Sequence, residues 1–105
     1  MNYYVRQVDT KNPEVRAQLK CLQNYCLPVD YPYDTSVGHW WILYNPYGHA
    51  AGFCGLVQST RWRDCMYLCR AGILSSHRGK GLQKKLIQVR LQKARALGMN
   101  WVITD

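Results

Sequence analysis

Residues 73–83 read Ile-Leu-Ser-Ser-His-Arg-Gly-Lys-Gly-Leu-Gln. An apolar, strand-like run ends at Leu74, a polar and basic loop follows, and a long amphipathic helix is expected to open at about Gly79. Two glycines at a strand-to-helix junction let the backbone approach a ligand with no Cβ in the way. The first amides of a helix lack an intrahelical acceptor, and the helix dipole makes that end positive. Arg78, Lys80, Lys84 and Lys85 add formal charge. Residues of these types in this order suit a phosphate cradle. Glycines before a helix also occur in ordinary turns, and a basic run is often a solvated helix face. Gly79-Lys80 is not followed by Ser or Thr and the upstream glycine is missing, so a Walker loop is excluded, and G-x-G-x-x-G is absent.

The elements that must position this stretch follow from pattern. Residues 3–8 read as a first strand. Asn12-Pro13-Glu14 reads as a helix start, with Asn as N-cap, Pro in the first turn and an acid beside it. Val15, Leu19, Leu22 and Cys26 then recur on one helix face, and Pro28 ends it. Residues 27–38, with Tyr31-Pro32-Tyr33-Asp34, read as a loop: a packed set of surface tyrosines or a wall facing a substrate. Residues 40–44 and 49–58 read as strands joined by a turn at Asn45-Pro46-Tyr47-Gly48. Gly52 and Gly55 suggest a bulge or a close backbone approach. Residues 65–74 form a fourth strand, which completes an antiparallel meander. The helix of residues 79–97 turns Leu82, Leu86, Val89 and Leu97 to one side, widened by Ile87, Leu91 and Ala94, with Gly98 as C-cap. Residues 100–104 are a fifth strand. Strand, helix and strand make a crossover, so the fourth and fifth strands should be parallel.

Composition bounds the function. The chain has 105 residues, enough for one domain with a modest core, and 48% hydrophobic content argues for a folded globule. No apolar run reaches spanning length and no signal peptide opens the chain, so a cytoplasmic location is expected. Five cysteines, an odd number, are expected as reduced, buried thiols. Their spacing is not that of zinc ligands, so no metal is expected. The net charge is +8. Residues 65–104 contain no Asp or Glu but hold Arg70, Arg78, Lys80, Lys84, Lys85, Arg90, Lys93 and Arg95. Such a field attracts polyanions, whether a phosphorylated cofactor or nucleic acid.

The stretch resembles the acetyl-coenzyme A motif of the GNAT superfamily of N-acetyltransferases, R/Q-x-x-G-x-G/A. Arg78, Gly81 and Gln83 take its three defined places. Gln83 departs from the small residue there, so the last amide of the loop should approach a pyrophosphate less closely. The order β-α-β-β-β-α-β over nearly the whole chain is similar to the GNAT fold, a layered α/β architecture with a mixed sheet. The family's last helix and strands are missing. That departure implies a fragment, a partner chain or a second copy covering the bare fifth strand, an edge prone to aggregation.

The resemblance implies the rest. Ile73 and Leu74 would meet the pantetheine arm, and Arg78, Gly79, Lys80, Gly81, Leu82 and Gln83 would wrap the pyrophosphate through main-chain amides. Lys84 or Lys85 would meet outer phosphates. The expected activity is transfer of an acetyl group from acetyl-CoA to a primary amine by direct attack, with a small molecule or a peptide as acceptor. Some relatives carry a glutamate about where Tyr67 stands. Asp64 and Asp105 are bases by type alone, so no catalytic residue is assigned. The alternatives are a catalytically impaired coenzyme A-binding or interaction module, and a basic nucleic-acid-binding domain using Trp62 and Trp101. The last is set aside because those tryptophans are expected in the core.

Overall fold

A computed structural model of the protein describes residues 2–28 and 33–104. The expectations for Tyr31 and Pro32, and for Asp105 as a base, lie outside these residues. Five strands and two helices alternate as β1 (Tyr4–Val8), α1 (Pro13–Cys26), β2 (His39–Tyr44), β3 (Ala50–Gln58), β4 (Cys65–Ile73), α2 (Gln83–Ala96) and β5 (Trp101–Ile103). The strands form one sheet in sequence order. Pairing is antiparallel from β1 to β4, and β4 pairs β5 in parallel.

The sheet is covered on both faces. Leu19 and Leu22 of α1 pack with Trp40, Ile42, Phe53 and Val57. Leu82, Leu86 and Ala94 of α2 pack with Trp41, Leu43, Leu56 and Met66. Because β2 is buried on both sides, Trp40-Trp41-Ile42-Leu43 is an unbroken apolar run rather than an alternating one. Each such side chain contributes roughly 1.5–3 kcal/mol by leaving water. Helix α1 starts as the sequence indicates: Asn12 Oδ1 accepts from the Glu14 amide at 2.9 Å, with Pro13 in the first turn. Its buried Gln23 accepts from the Tyr33 amide at 2.7 Å, which ties α1 to the segment entering β2.

Several boundaries move. Helix α2 begins at Gln83, not Gly79, because residues 78–82 are used to turn the chain out of the sheet. Strand β4 ends at Ile73, and Ser75–His77 form a single 3-10 turn. Helix α2 ends in two closing bonds, Gly98 N–H to Arg95 O and Met99 N–H to Ala94 O, each 3.0 Å, with Gly98 at φ +75°. The face of α2 that meets the sheet is narrower than the periodicity indicates. Its buried line is Leu82, Leu86, Arg90 and Ala94, four residues apart, with Val89 partly buried against the same cluster as expected, while Ile87, Leu91 and Leu97 are exposed. Arg90, part of the basic run of residues 65–104, is 4% exposed.

Trp62 and Trp101 are not core residues: they are 50% and 66% exposed. Trp101 lies on the outermost strand, and Trp62 lies in the turn before β4, where the Arg61 guanidinium sits 5.0 Å from its ring centroid. The cysteines divide too. Cys54, Cys65 and Cys69 are buried, Cys26 is half-buried and Cys21 is exposed. No helix among the described residues is long and apolar enough to cross a membrane.

Gly72 marks where α1 crosses β4. A Cβ there would lie 2.5 Å from Cys26 Cβ and 3.1 Å from Phe53 Cε1. Gly72→Ala should therefore cost about 1–3 kcal/mol by overpacking. Urea titration checks this; an unchanged midpoint would show that the crossing is not tight.

Candidate functional site

The C-terminal end of β4 and the N-terminal end of α2 meet at the glycine stretch. The 3-10 turn is fixed by Leu74 N–H to Ala51 O at 2.8 Å and by Tyr3 Oη against His77 Nδ1 at 2.7 Å. Arg78 Nε donates to Ile73 O at 2.8 Å, so its guanidinium folds back and closes the strand end. Gly79 and Gly81 then take φ of +81° and +71°, which L side chains rarely adopt. A Cβ on either would meet nothing within 4 Å, so the space before the loop is open. Leu82 is the N-cap of α2 and offers no side-chain bond to the helix amides. Its side chain is buried and anchors the loop to the core.

Among the described residues, no backbone carbonyl accepts from the amides of residues 79–84; the ladder resumes with Lys85 N–H and Leu86 N–H to Leu82 O. A run of main-chain donors at a helix N-terminus, with open glycine faces and exposed Lys80 and Lys84, is an anion cradle. Lys85 turns away from it and lines a groove with Tyr4, Val5 and Gln88. Gln83 is exposed, with its side chain at the mouth of the helix.

Beside the cradle, β4 has an open edge. Only Cys65, Met66 and Tyr67 pair with β5. Among the described residues no strand lies beside residues 68–73 on that side. Just past the last paired residue the strand bulges. The register with β3 runs from Leu56↔Leu68 to Cys54↔Ala71, two steps against three. The bulge at Cys69 and Arg70 reverses which side chains face α2: Met66 and Leu68 before it, Ala71 and Ile73 after it. That parity change is visible in the sequence, and it is the signal that pattern reading missed. A bulge turns amides out of the ladder.

The structure therefore brings Ile73, Leu74, Arg78, Gly79, Lys80, Gly81, Leu82 and Gln83 to one place, with the open strand edge leading to them. Asp64 is held elsewhere: its carbonyl accepts from the Asn100 and Trp101 amides at 3.0 and 3.1 Å, and its carboxylate from Asn100 Nδ2 at 3.2 Å. It secures the entry to β5. Tyr67 is half-buried and packs in the cluster under α1. The Cys26 thiol, beside Gly72, is pushed up by burial against the smaller opposing pull of Arg78.

Backbone donors at a helix N-terminus, next to an open strand edge that carries a bulge, suit an extended ligand with an anionic end. The family model for the acetyltransferase (GNAT) family matches residues 5–104. The chain belongs to that family. Its fold is similar to that of an aminoglycoside acetyltransferase from an uncultured soil metagenomic sample, with TM-score 0.79, 13% identity, and 100% of this chain and 80% of that chain covered. It is also similar to the aminoglycoside N-acetyltransferase AAC(6')-Iy in complex with CoA, with TM-score 0.75, 17% identity and coverage of 99% and 76%. The NatC complex bound to Gag peptide and CoA gives TM-score 0.76, 17% identity and coverage of 99% and 74%. No curated protein matches the sequence.

The thiols next to this site are inert. Burial pushes Cys54 up to about 12, the nearby Arg90 charge opposing it only in part, and pushes Cys69 up to about 11 against hydrogen bonds from the Arg70 and Cys69 amides and the smaller pull of Arg90. Both stay protonated at neutral pH, which argues against a cysteine nucleophile. An unfolded chain loses these protons near pH 9 while the folded chain keeps them, so stability should fall as pH rises past 9. Iodoacetamide at pH 8 should label exposed Cys21 readily and leave Cys54 and Cys69 unmodified in the folded protein. Peptide mapping by mass spectrometry checks this; early labelling of Cys69 would contradict the burial argument.

Proposed function

We propose that this chain is an N-acetyltransferase that uses acetyl-CoA to acetylate a primary amine by direct attack, in a reducing, cytoplasmic setting that suits its free thiols. The observation that carries the reading is the run of unaccepted amides at residues 79–84, open on its ligand side and continuous with the free edge of β4. Those amides fit a pyrophosphate: charge-assisted bonds are worth about 1.5–3 kcal/mol each. The edge of residues 68–73 is roughly 20 Å of strand, and it offers donors and acceptors to the two amides of a pantetheine arm.

Bound there, the thioester supplies an activated acyl carbon. The chain's own residues orient it. On this reading Ile73 and Leu74 would flank the arm, and main-chain amides of β4 would stabilise the oxyanion that develops on the thioester. Aligning amine and thioester supplies much of the acceleration. Among the described residues the open edge of β4 carries no carboxylate, so the amine's proton leaves through water. That same observation favours a second reading, a coenzyme A-binding module without turnover. An aminoglycoside or a peptide, the molecules named with the similar structures, would each supply a primary amine. A second copy or a partner chain over β5 would cover exposed Trp101.

Calorimetry with acetyl-CoA should show one site per chain, and thiol release with a panel of amines separates the enzyme from the binding module. Gly81→Glu places a carboxylate where the pyrophosphate sits and should weaken binding at least ~100-fold, about 2.7 kcal/mol, with circular dichroism largely unchanged. Binding that survives the change would move the pyrophosphate away from this loop. Sedimentation over a dilution series should show association that Trp101→Lys removes; a monomer at every concentration would refute the covered strand.

A further inference from the structure

Arg90 is a charged side chain in the core, and its surroundings give it a task. It is 4% exposed, in a helix face otherwise made of Leu82, Leu86 and Ala94. Among the described residues no carboxylate pairs with it. Its Nε donates to Leu86 O at 3.0 Å, and its Nη1 donates to Gly55 O at 3.4 Å. The titratable groups that feel its charge are the thiols of Cys54 and Cys69. A buried guanidinium without a counter-ion is costly, and an apolar residue of the same volume is often neutral or better for stability. Packing therefore does not explain it.

Gly55 is the residue opposite the bulge. The register skips it, passing from Leu56↔Leu68 to Cys54↔Ala71. It has no room for a side chain, since a Cβ would lie 2.5 Å from the Trp40 ring and 2.8 Å from Cys69 Sγ. Its carbonyl accepts from α2, through Arg90 Nη1. Arg90 thus ties the helix that carries the anion cradle to the strand position facing Cys69.

We infer that Arg90 is a positioning residue, which holds the β4 bulge in register by capping the Gly55 carbonyl and so fixes the bulge amides relative to the cradle. The inference rests on the acetyltransferase reading for its kinetic consequence, and on the structure alone for its geometric one. The guanidinium touches neither the thioester nor the amine. It acts through Gly55 on the amides at Cys69 and Arg70.

The test uses Arg90→Met and Arg90→Lys in the full chain. Arg90→Met should melt no lower than the wild type, shift the amide resonances of Cys69, Arg70 and Ala71, and lower kcat on the order of tenfold or more. KM for acetyl-CoA should change by less than about twofold, the pattern of an interaction made only in the transition state. Arg90→Lys keeps one donor on a shorter reach and should recover part of kcat. Unmoved bulge resonances with wild-type kcat would overturn the inference, as would a loss of kcat explained by a lower melting temperature. If Arg90→Met does not fold, Arg90→Lys decides: wild-type kcat and bulge resonances refute, a folded variant with lowered kcat supports. If the wild type acetylates no amine in the panel, the acetyltransferase reading fails by itself, and the resonances of the two variants alone decide the role of Arg90.

Discussion

A main-chain amide shut away from water without an acceptor costs about 1–3 kcal/mol. A compact fold therefore leaves such groups open only where solvent or a ligand reaches them. Among the described residues, two such places adjoin: the edge of β4 past Tyr67, which β5 does not cover, and the loop of residues 79–84 where α2 begins. They are contiguous because Arg78 folds back onto Ile73 O and the 3-10 turn carries the chain across the strand end. On the proposed reading, one extended molecule with amides along its length and phosphate at its end would satisfy both.

What makes these donors a site is the stiffness of their supports. Helix α2 is anchored near its start by buried Leu82 and Leu86, near its end by Ala94, and it is closed by a glycine motif. Strand β4 is held on one side by β3 over most of its length. A ligand bound through backbone donors gains from that rigidity, because the cost of ordering the donors has been met in folding. The bulge is the one irregular point between the anchors, and a helix side chain reaches it. Tyr3 and His77 fix the far side of the loop in the same spirit.

The sequence made the arrangement legible wherever local chemistry decides it. Asn12-Pro13, the turn at Asn45–Gly48 and Gly98 each act over a few residues, and each stands where pattern puts it. The order of elements followed from period and turn spacing. The glycine loop was readable because positive φ has few alternatives. Features set by tertiary context were not. The helix starts four residues after the first loop glycine because the chain must clear the sheet edge before it can coil. Trp62 and Trp101 look like core by type, but a turn and an outermost strand have no second layer to bury them. Arg90 looks solvated by type, and only the bulge opposite it explains its burial. Cys21 and Cys69 are the same residue in the sequence and opposite extremes in the fold.

Main-chain recognition, as proposed for this site, would also be compatible with how little sequence the similar structures share. Identities of 12–19% accompany TM-scores of 0.69–0.79. A side-chain site would constrain the residues that contact the ligand, and drift of this size would erase it. An amide offers the same donor whatever residue carries it. The constraint then falls on a few positions: glycines where a Cβ would intrude or φ is positive, apolar anchors such as Leu82 and Leu86, and the bulge. Where a contact depends on a side chain, as with the Gly55 carbonyl and Arg90, the tolerance ends, because no neighbouring amide can take over a bond that reaches from one layer of the fold to the next.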